Sequence, residues 1–158
     1  MADQGRPAIV RNADRDDVMA ICRFGEEQVR AHYSPLIGEE AATRRVRKCW
    51  NDTDIAAAVA RGAVVVADEG GYLAGVGQRG RDGDEYVIHK LCVHPRHRGG
   101  GLGTRLLDVL IGQLPADAER VYAEHFVANE PAAAFCEREG FTVERIERGV
   151  VRRVRDLR

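Results

Sequence analysis

The chain has 158 residues, 44% of them hydrophobic, and a formal net charge of −1. That length lies within the range of about 100–200 residues for one domain, and folding at this size buries roughly 68–70% of the unfolded surface. The near balance of charge excludes a field strong enough to hold nucleic acid or an anionic membrane surface.

Pro7 to Val10 is a short apolar stretch that predicts a first strand. Asn12, Asp14 and Asp17 supply cap and first-turn carboxylates for a helix to about Ala31, with Val18, Ile21, Cys22, Gly25 and Val29 facing inward. Ser34-Pro35 and Gly38 predict a break. A second helix follows from Glu39 to Trp50, and a short third one, capped by Asp52 or Asp54, stops at Arg61-Gly62. The period then changes to two. Ala63–Ala67 and Tyr72–Gln78 read as strands around a Glu69-Gly70-Gly71 hairpin turn, and Arg79 to Asp84 reads as a polar loop. Tyr86–Val93 is apolar and β-branched, and Pro95 ends it. Leu102, Leu106, Leu107, Leu110 and Leu114 recur at helical spacing. Val121–Val127 predicts a strand, Asn129-Glu130-Pro131 opens a last helix that Gly140 stops, and Phe141–Ile146 and Val150–Val154 predict two final strands. No repeat or linker divides this order. It implies one α/β domain over residues 1–158, a mixed central sheet with helices on both faces.

No run approaches the roughly 18 apolar residues of a membrane span. The start, MADQGRPAIV, lacks a charged-then-apolar leader, so a cytoplasmic location and no membrane partner are expected. Cys22, Cys49, Cys92 and Cys136 form no C-x-x-C pair and read as small buried hydrophobes in a reducing compartment.

Chemistry concentrates between Val87 and Leu107, where a strand, a basic glycine-rich turn and a helix follow in succession. A helix start has unpaired amides and partial positive charge. Gly99, Gly100, Gly101 and Gly103 remove the side chains that would keep a phosphate from those amides, and Arg98 adds formal charge. The turn reads as an anion site suited to a pyrophosphate. The dinucleotide spacing fails, because the position five after Gly99 is Thr104. The phosphate loop of NTPases fails as well, because no Lys follows the glycines.

What fits is Arg-x-x-Gly-x-Gly at Arg98, Gly101 and Gly103, preceded by Leu91-Cys92-Val93-His94-Pro95. A second stretch, Asn129-Glu130-Pro131-Ala132-Ala133-Ala134-Phe135-Cys136-Glu137-Arg138-Glu139-Gly140-Phe141, follows one helix and one strand later. Together these resemble the GNAT N-acetyltransferases over about Ala63 to Phe141. The resemblance implies acetyl-CoA as cosubstrate, with no metal. It implies backbone pairing of the pantetheine arm with Leu91, Cys92 and Val93, where a fourth strand splays from a fifth. It also implies pyrophosphate binding by the turn from Arg98 through Leu102 to Thr104, a cofactor contact or brace at Asn129, and Phe135 near the thioester arm. The acceptor implied is a small-molecule or peptide amine, attacking the thioester directly. Members of the family often pair, so a homodimer is an expectation the resemblance carries.

The catalytic groups depart from the family pattern. Val87 stands where members often carry a base Glu. His89, two residues on and on the same face by alternation, is the candidate base, with an ordinary pKa of about 6.5. Glu124 is the fallback. Cys136 replaces the tyrosine that protonates the departing thiolate. It is either an acid or packing only, and packing is the favoured reading because burial raises a thiol pKa. The need for a base depends on the acceptor. A lysine-type amine costs about 4.6 kcal/mol to deprotonate at pH 7, an α-amino group only around 1 kcal/mol. Alternation places Cys92 and His94 opposite His89, so no metal cluster is expected among His89, Cys92, His94 and His97. His32, Tyr33 and Trp50 fall near the expected acceptor side. Two rival readings are a non-catalytic acyl-CoA sensor and a nucleotide-binding module.

Overall fold

Alternating apolar residues from Val64 to Val76 build the centre of the sheet, with Val64, Val66 and Val76 on one face and Val65, Ala67 and Ala74 on the other. The computed structural model describes residues 7–158. The six residues before them, on which the expectation of no leader partly rests, lie outside it. The strands are β1 (Ile9–Asn12), β2 (Val64–Glu69), β3 (Tyr72–Asp82), β4 (Glu85–Val93), β5 (Arg120–Phe126), β6 (Thr142–Glu147) and β7 (Val150–Asp156). They form one seven-stranded sheet in the order β1-β2-β3-β4-β5-β7-β6. All pairs are antiparallel except β4 with β5. The expected single mixed sheet with helices on both faces is what the chain forms.

Helices α1 (Val18–Phe24), α2 (Arg30–Ile37), α3 (Glu39–Cys49) and α4 (Asp52–Ala60) cover one face. Ile21, Phe24, Val46, Trp50 and Ile55 are buried there against Val64, Val66 and Val76. Helices α5 (Leu102–Gly112) and α6 (Glu130–Arg138) belong to the other face. There Leu102, Leu106, Leu107 and Leu110 meet Val65, Ile88 and Val121, with Cys136 and Phe141 in the same cluster. Among the described residues no helix is long and apolar enough to cross a membrane.

Four expectations need correction. The first helix does not run evenly to Ala31. A 3-10 turn at Arg15–Asp17 precedes α1, and a π turn at Gly25–Val29 joins α1 to α2. Gly25 lies so close to Trp50 that a Cβ would meet the indole at 2.7 Å. Second, α2 passes through Ser34-Pro35 and stops at Gly38, where φ is 91°. Proline removes one N–H and crowds the carbonyl four residues back. The Ser34 hydroxyl donating to Arg30 O and the packing of α2 on α3 hold that last turn. Third, the α4 cap is Asn51, whose Oδ1 accepts from Asp54 N at 2.8 Å. Fourth, Arg79 to Asp82 is not a loop. β3 continues through it, pairing Gly80 with Val87 and Arg81 with Tyr86, while Arg81 lies 5.3 Å over the Tyr86 ring.

Candidate active site

The parallel seam between β4 and β5 is short. It joins Tyr86 to Val121, Val87 to Tyr122 and Ile88 to Ala123, and then stops. Beyond Ile88, β4 continues to Val93 and β5 to Phe126 without pairing to each other. The two strands therefore splay, leaving an open backbone edge along Lys90 to Val93.

A β-bulge sits at the point of divergence. Gln78 pairs with Lys90 and Arg79 with Ile88, so His89 is the extra residue on β4. The bulge breaks alternation. Lys90 Nζ donates to Gln78 Oε1 at 3.1 Å, and the His89 ring lies against Gly80, two residues along β3 on the same face. His89 and Lys90 thus both point to the side covered by α1–α4. Cys92 packs on that side too, while Leu91 and Val93 pack toward α5. The expectation that Cys92 faces away from His89 is therefore wrong, because it assumed an unbroken strand. Among the described residues, no group of three or more His, Cys, Asp or Glu is placed to hold a metal.

The 3-10 turn Pro95–His97 ends β4 and leads into the glycines. The Arg98 amide is already used, donating to Pro95 O at 3.3 Å, so Arg98 offers only its exposed side chain. Among the described residues, no backbone acceptor takes the amides of Gly99, Gly100 or Gly101. Gly101 caps α5 in the left-handed conformation, φ 79°, with no side-chain cap. The amides of Leu102, Gly103 and Thr104 are the free first-turn donors of α5. A Cβ at Gly99 or Gly101 would meet nothing within 4 Å, so the approach to these amides is open. The residues present fit a pyrophosphate.

Behind the turn, the Phe135 ring stands 3.0 Å from where a Gly103 Cβ would be. Thr104 Oγ1 donates to Glu139 Oε2 at 2.8 Å, tying the start of α5 to the end of α6. Asn129 is buried and does two things. Its Oδ1 caps α6 by accepting from Ala132 N at 3.4 Å, and it meets His32 Nε2 at 3.2 Å. The second contact ties α2 to the β5–α6 turn across the mouth of the splay.

The candidate catalytic groups lie in unequal settings. His89 is exposed at one edge, and partial burial with the neighbouring Lys90 ammonium holds its pKa below the usual 6.5. Glu124 is engaged: Arg152, itself buried, reaches Glu124 at 3.3 Å, Glu85 at 2.6 Å and Glu144 at 3.2 Å, and lies 4.3 Å over the Tyr122 ring. Cys136 is buried within the α5-side cluster, and burial pushes its thiol up from the ordinary range. Burial likewise pushes the Cys92 thiol up to about 11.

Sequence reasoning placed Tyr33 near the acceptor side but missed its neighbours. Tyr33 packs edge-on to Phe126, ring centroids 5.5 Å apart, and the Arg45 guanidinium lies 4.8 Å over Phe126 and 5.5 Å over Tyr33. Trp50 is core, with the Lys90 ammonium 5.4 Å from its ring centroid. These contacts span α2, α3, β4 and β5, so no local pattern announces them.

Known proteins show the same architecture. The model of the acetyltransferase (GNAT) family matches residues 26–141. A relative named L-methionine sulfoximine/L-methionine sulfone acetyltransferase, from Salmonella typhimurium, is 30% identical over 109 residues. That match covers 66% of this chain and spans only 61% of the relative's length. Among solved structures, PaiA N-acetyltransferase from Thermoplasma acidophilum, in complex with coenzyme A, superposes with a TM-score of 0.84 at 14% identity, covering 96% of this chain and 99% of its own. YncA from Salmonella typhimurium, solved with acetyl-CoA, gives 0.67 at 22% identity, covering 97% and 95%.

Proposed function

Since this chain belongs to the acetyltransferase (GNAT) family, we propose that it moves an acetyl group from acetyl-CoA to a primary amine of a small molecule. The single sheet supports reading the chain as one acetyltransferase domain. The observation that carries the proposal is the splay past Ile88 and Ala123 beside a turn of free amides. The Salmonella relative is named for amino-acid derivatives, which supports a small-molecule acceptor.

Acetyl-CoA supplies the acyl group as a thioester, with a thiol as leaving group. The amides from Gly99 to Thr104, with the Arg98 side chain, would hold its pyrophosphate. One exposed anion at a helix end gains only about 0.3–1 kcal/mol, so several converging amides are needed. The open edge at Leu91, Cys92 and Val93 would pair with the pantetheine arm. Asn129 and Phe135 would brace its far side. Holding amine and thioester in register can remove about 7–11 kcal/mol of barrier. His89 would take the proton from the attacking amine, directly or through water, since Arg152 occupies Glu124. Cys136 is packing, and solvent protonates the thiolate.

The test is calorimetry with CoA, together with thiol release from acetyl-CoA across amines. Gly101→Glu places a carboxylate among the amides, and Gly101→Gln carries the same left-handed strain without the charge. The Glu variant should abolish the CoA heat and the Gln variant should retain it. No heat with the native protein overturns the reading, and heat without thiol release from any amine would favour the sensor reading instead, which Val87 and Cys136 in place of the family's Glu and Tyr motivate.

A further inference from the structure

We infer that the acceptor amine also carries a carboxylate, and that Arg45 and Lys90 hold it. This rests on the acetyl-transfer reading above and narrows it to a substrate class.

Two cations stand on the α1–α4 side of the splay. Arg45, on α3, lies over Phe126 and Tyr33, and Lys90, on β4, lies over Trp50. Among the described residues, neither has a carboxylate within 4.0 Å. The only hydrogen bond from the Lys90 ammonium there goes to the neutral Gln78 amide. The two cations are near enough to repel each other. Lys90 is half-buried, and an ammonium removed from water without a counter-ion is costly. Asp54 acts on Lys90 only from beyond 4.0 Å, so among the described residues the pair has no anion in contact with it.

That anion is not a phosphate of CoA. The amides that suit a pyrophosphate open α5, and α5 packs on the other face of the sheet. What reaches Arg45 and Lys90 enters from the acceptor side. The bulge then fixes how the acceptor must be built. His89 and Lys90 are consecutive, their Cα atoms about 3.8 Å apart, and both point the same way. The His89 ring lies against Gly80 and the Lys90 ammonium reaches Gln78 and Trp50, so the base and the cation occupy separate positions on one face of the sheet. A short molecule that carries both an amine and a carboxylate, as an amino acid does, would present one to the base and the other to the cations. Arg45 offers the planar fork that binds a carboxylate through two N–H groups. Phe126 and Tyr33 form its apolar backing.

The experiment measures thiol release from acetyl-CoA with the twenty L-amino acids, their α-carboxamides and simple alkylamines, alongside calorimetry with CoA. At least one acid should be turned over with kcat/KM about tenfold or more above that of its own amide. Arg45→Gln and Lys90→Gln should each raise the KM for that acid about tenfold. Each should cut the acid-to-amide ratio of kcat/KM about tenfold, because the carboxamide has no charge for the missing cation to hold. Arg45 is exposed, so Arg45→Gln keeps the fold testable. Amides or alkylamines accepted as well as acids, or variants that shift acids and amides alike, overturn this inference and leave acetyl transfer standing. A protein that gives no heat with CoA overturns both.

Discussion

The imidazole of His89 rests on the bare backbone of Gly80: a Cβ there would lie 2.3 Å from Cδ2 and 2.4 Å from Nε2. The glycine is thus the floor on which the bulged histidine is set. Gly80→Ala should turn the ring away while leaving the exposed end of β3 otherwise intact. Its loss in kcat/KM should approach that of His89→Gln, within the range of about 10²–10⁴ for a general base. Steady-state kinetics beside a thermal melt checks this. A variant with native rate and native melt removes His89 from the chemistry.

The pH dependence follows from the same residue. Partial burial and Lys90 depress the folded pKa of His89 below 6.5. The unfolded chain then binds the proton more readily than the folded one, so stability rises with pH through this window. The contribution is complete above about pH 6.5 and is lost as the pH falls through the folded value. With His89 as the proposed base, activity has the same sign, because only neutral imidazole accepts a proton. The acid limb of kcat/KM should have its midpoint below about 6.5, and His89→Gln should erase that limb. A limb unchanged in the variant assigns it to another group.

Gly25→Ala tests the π turn. The added methyl would stand 2.7 Å from the Trp50 indole, which is buried and has little room to retreat. Overpacking of this kind costs about 1–3 kcal/mol. Urea unfolding followed by Trp50 fluorescence measures the loss, and an unchanged midpoint would show that α1 and α3 can part at no cost.

Cys136→Ala separates packing from acid chemistry. The thiol lies in the core with its pKa raised, so its removal should cost about 1 kcal/mol of stability. Turnover should stay within about threefold of native, well short of the roughly 10²–10⁴ of an acid catalyst. A large fall in kcat with an intact fold would make the thiol the proton donor.

The Arg98–Thr104 turn and the leucine helix behind it could be read directly from the chain, because both rest on neighbours in sequence. The order of elements along the chain was legible for the same reason, since the period changes at Ala63 and Pro95, but the order of strands in the sheet was not. The bulge at His89 was not, because Tyr86 to Val93 reads as one regular strand. Only the offset pairing of Gln78 and Arg79 exposes it. Glycine and charge at Arg79 to Asp82 suggested a loop, yet pairing with β4 outweighs weak strand propensity. Arg45, Phe126 and the His32–Asn129 contact depend on segments up to 97 residues apart, beyond any periodicity.

The three-residue seam between β4 and β5 leaves the sheet as two rafts lashed together at one end. A guest strand of pantetheine would be the missing lashing at the other. Its arrival should slow amide exchange at Leu91 to Val93 and at Phe126 far more than at Val65 or Val66. Under the proposed reaction, a molecule so arranged would gain rigidity from the donor it is about to consume and loosen once the spent thiol departs.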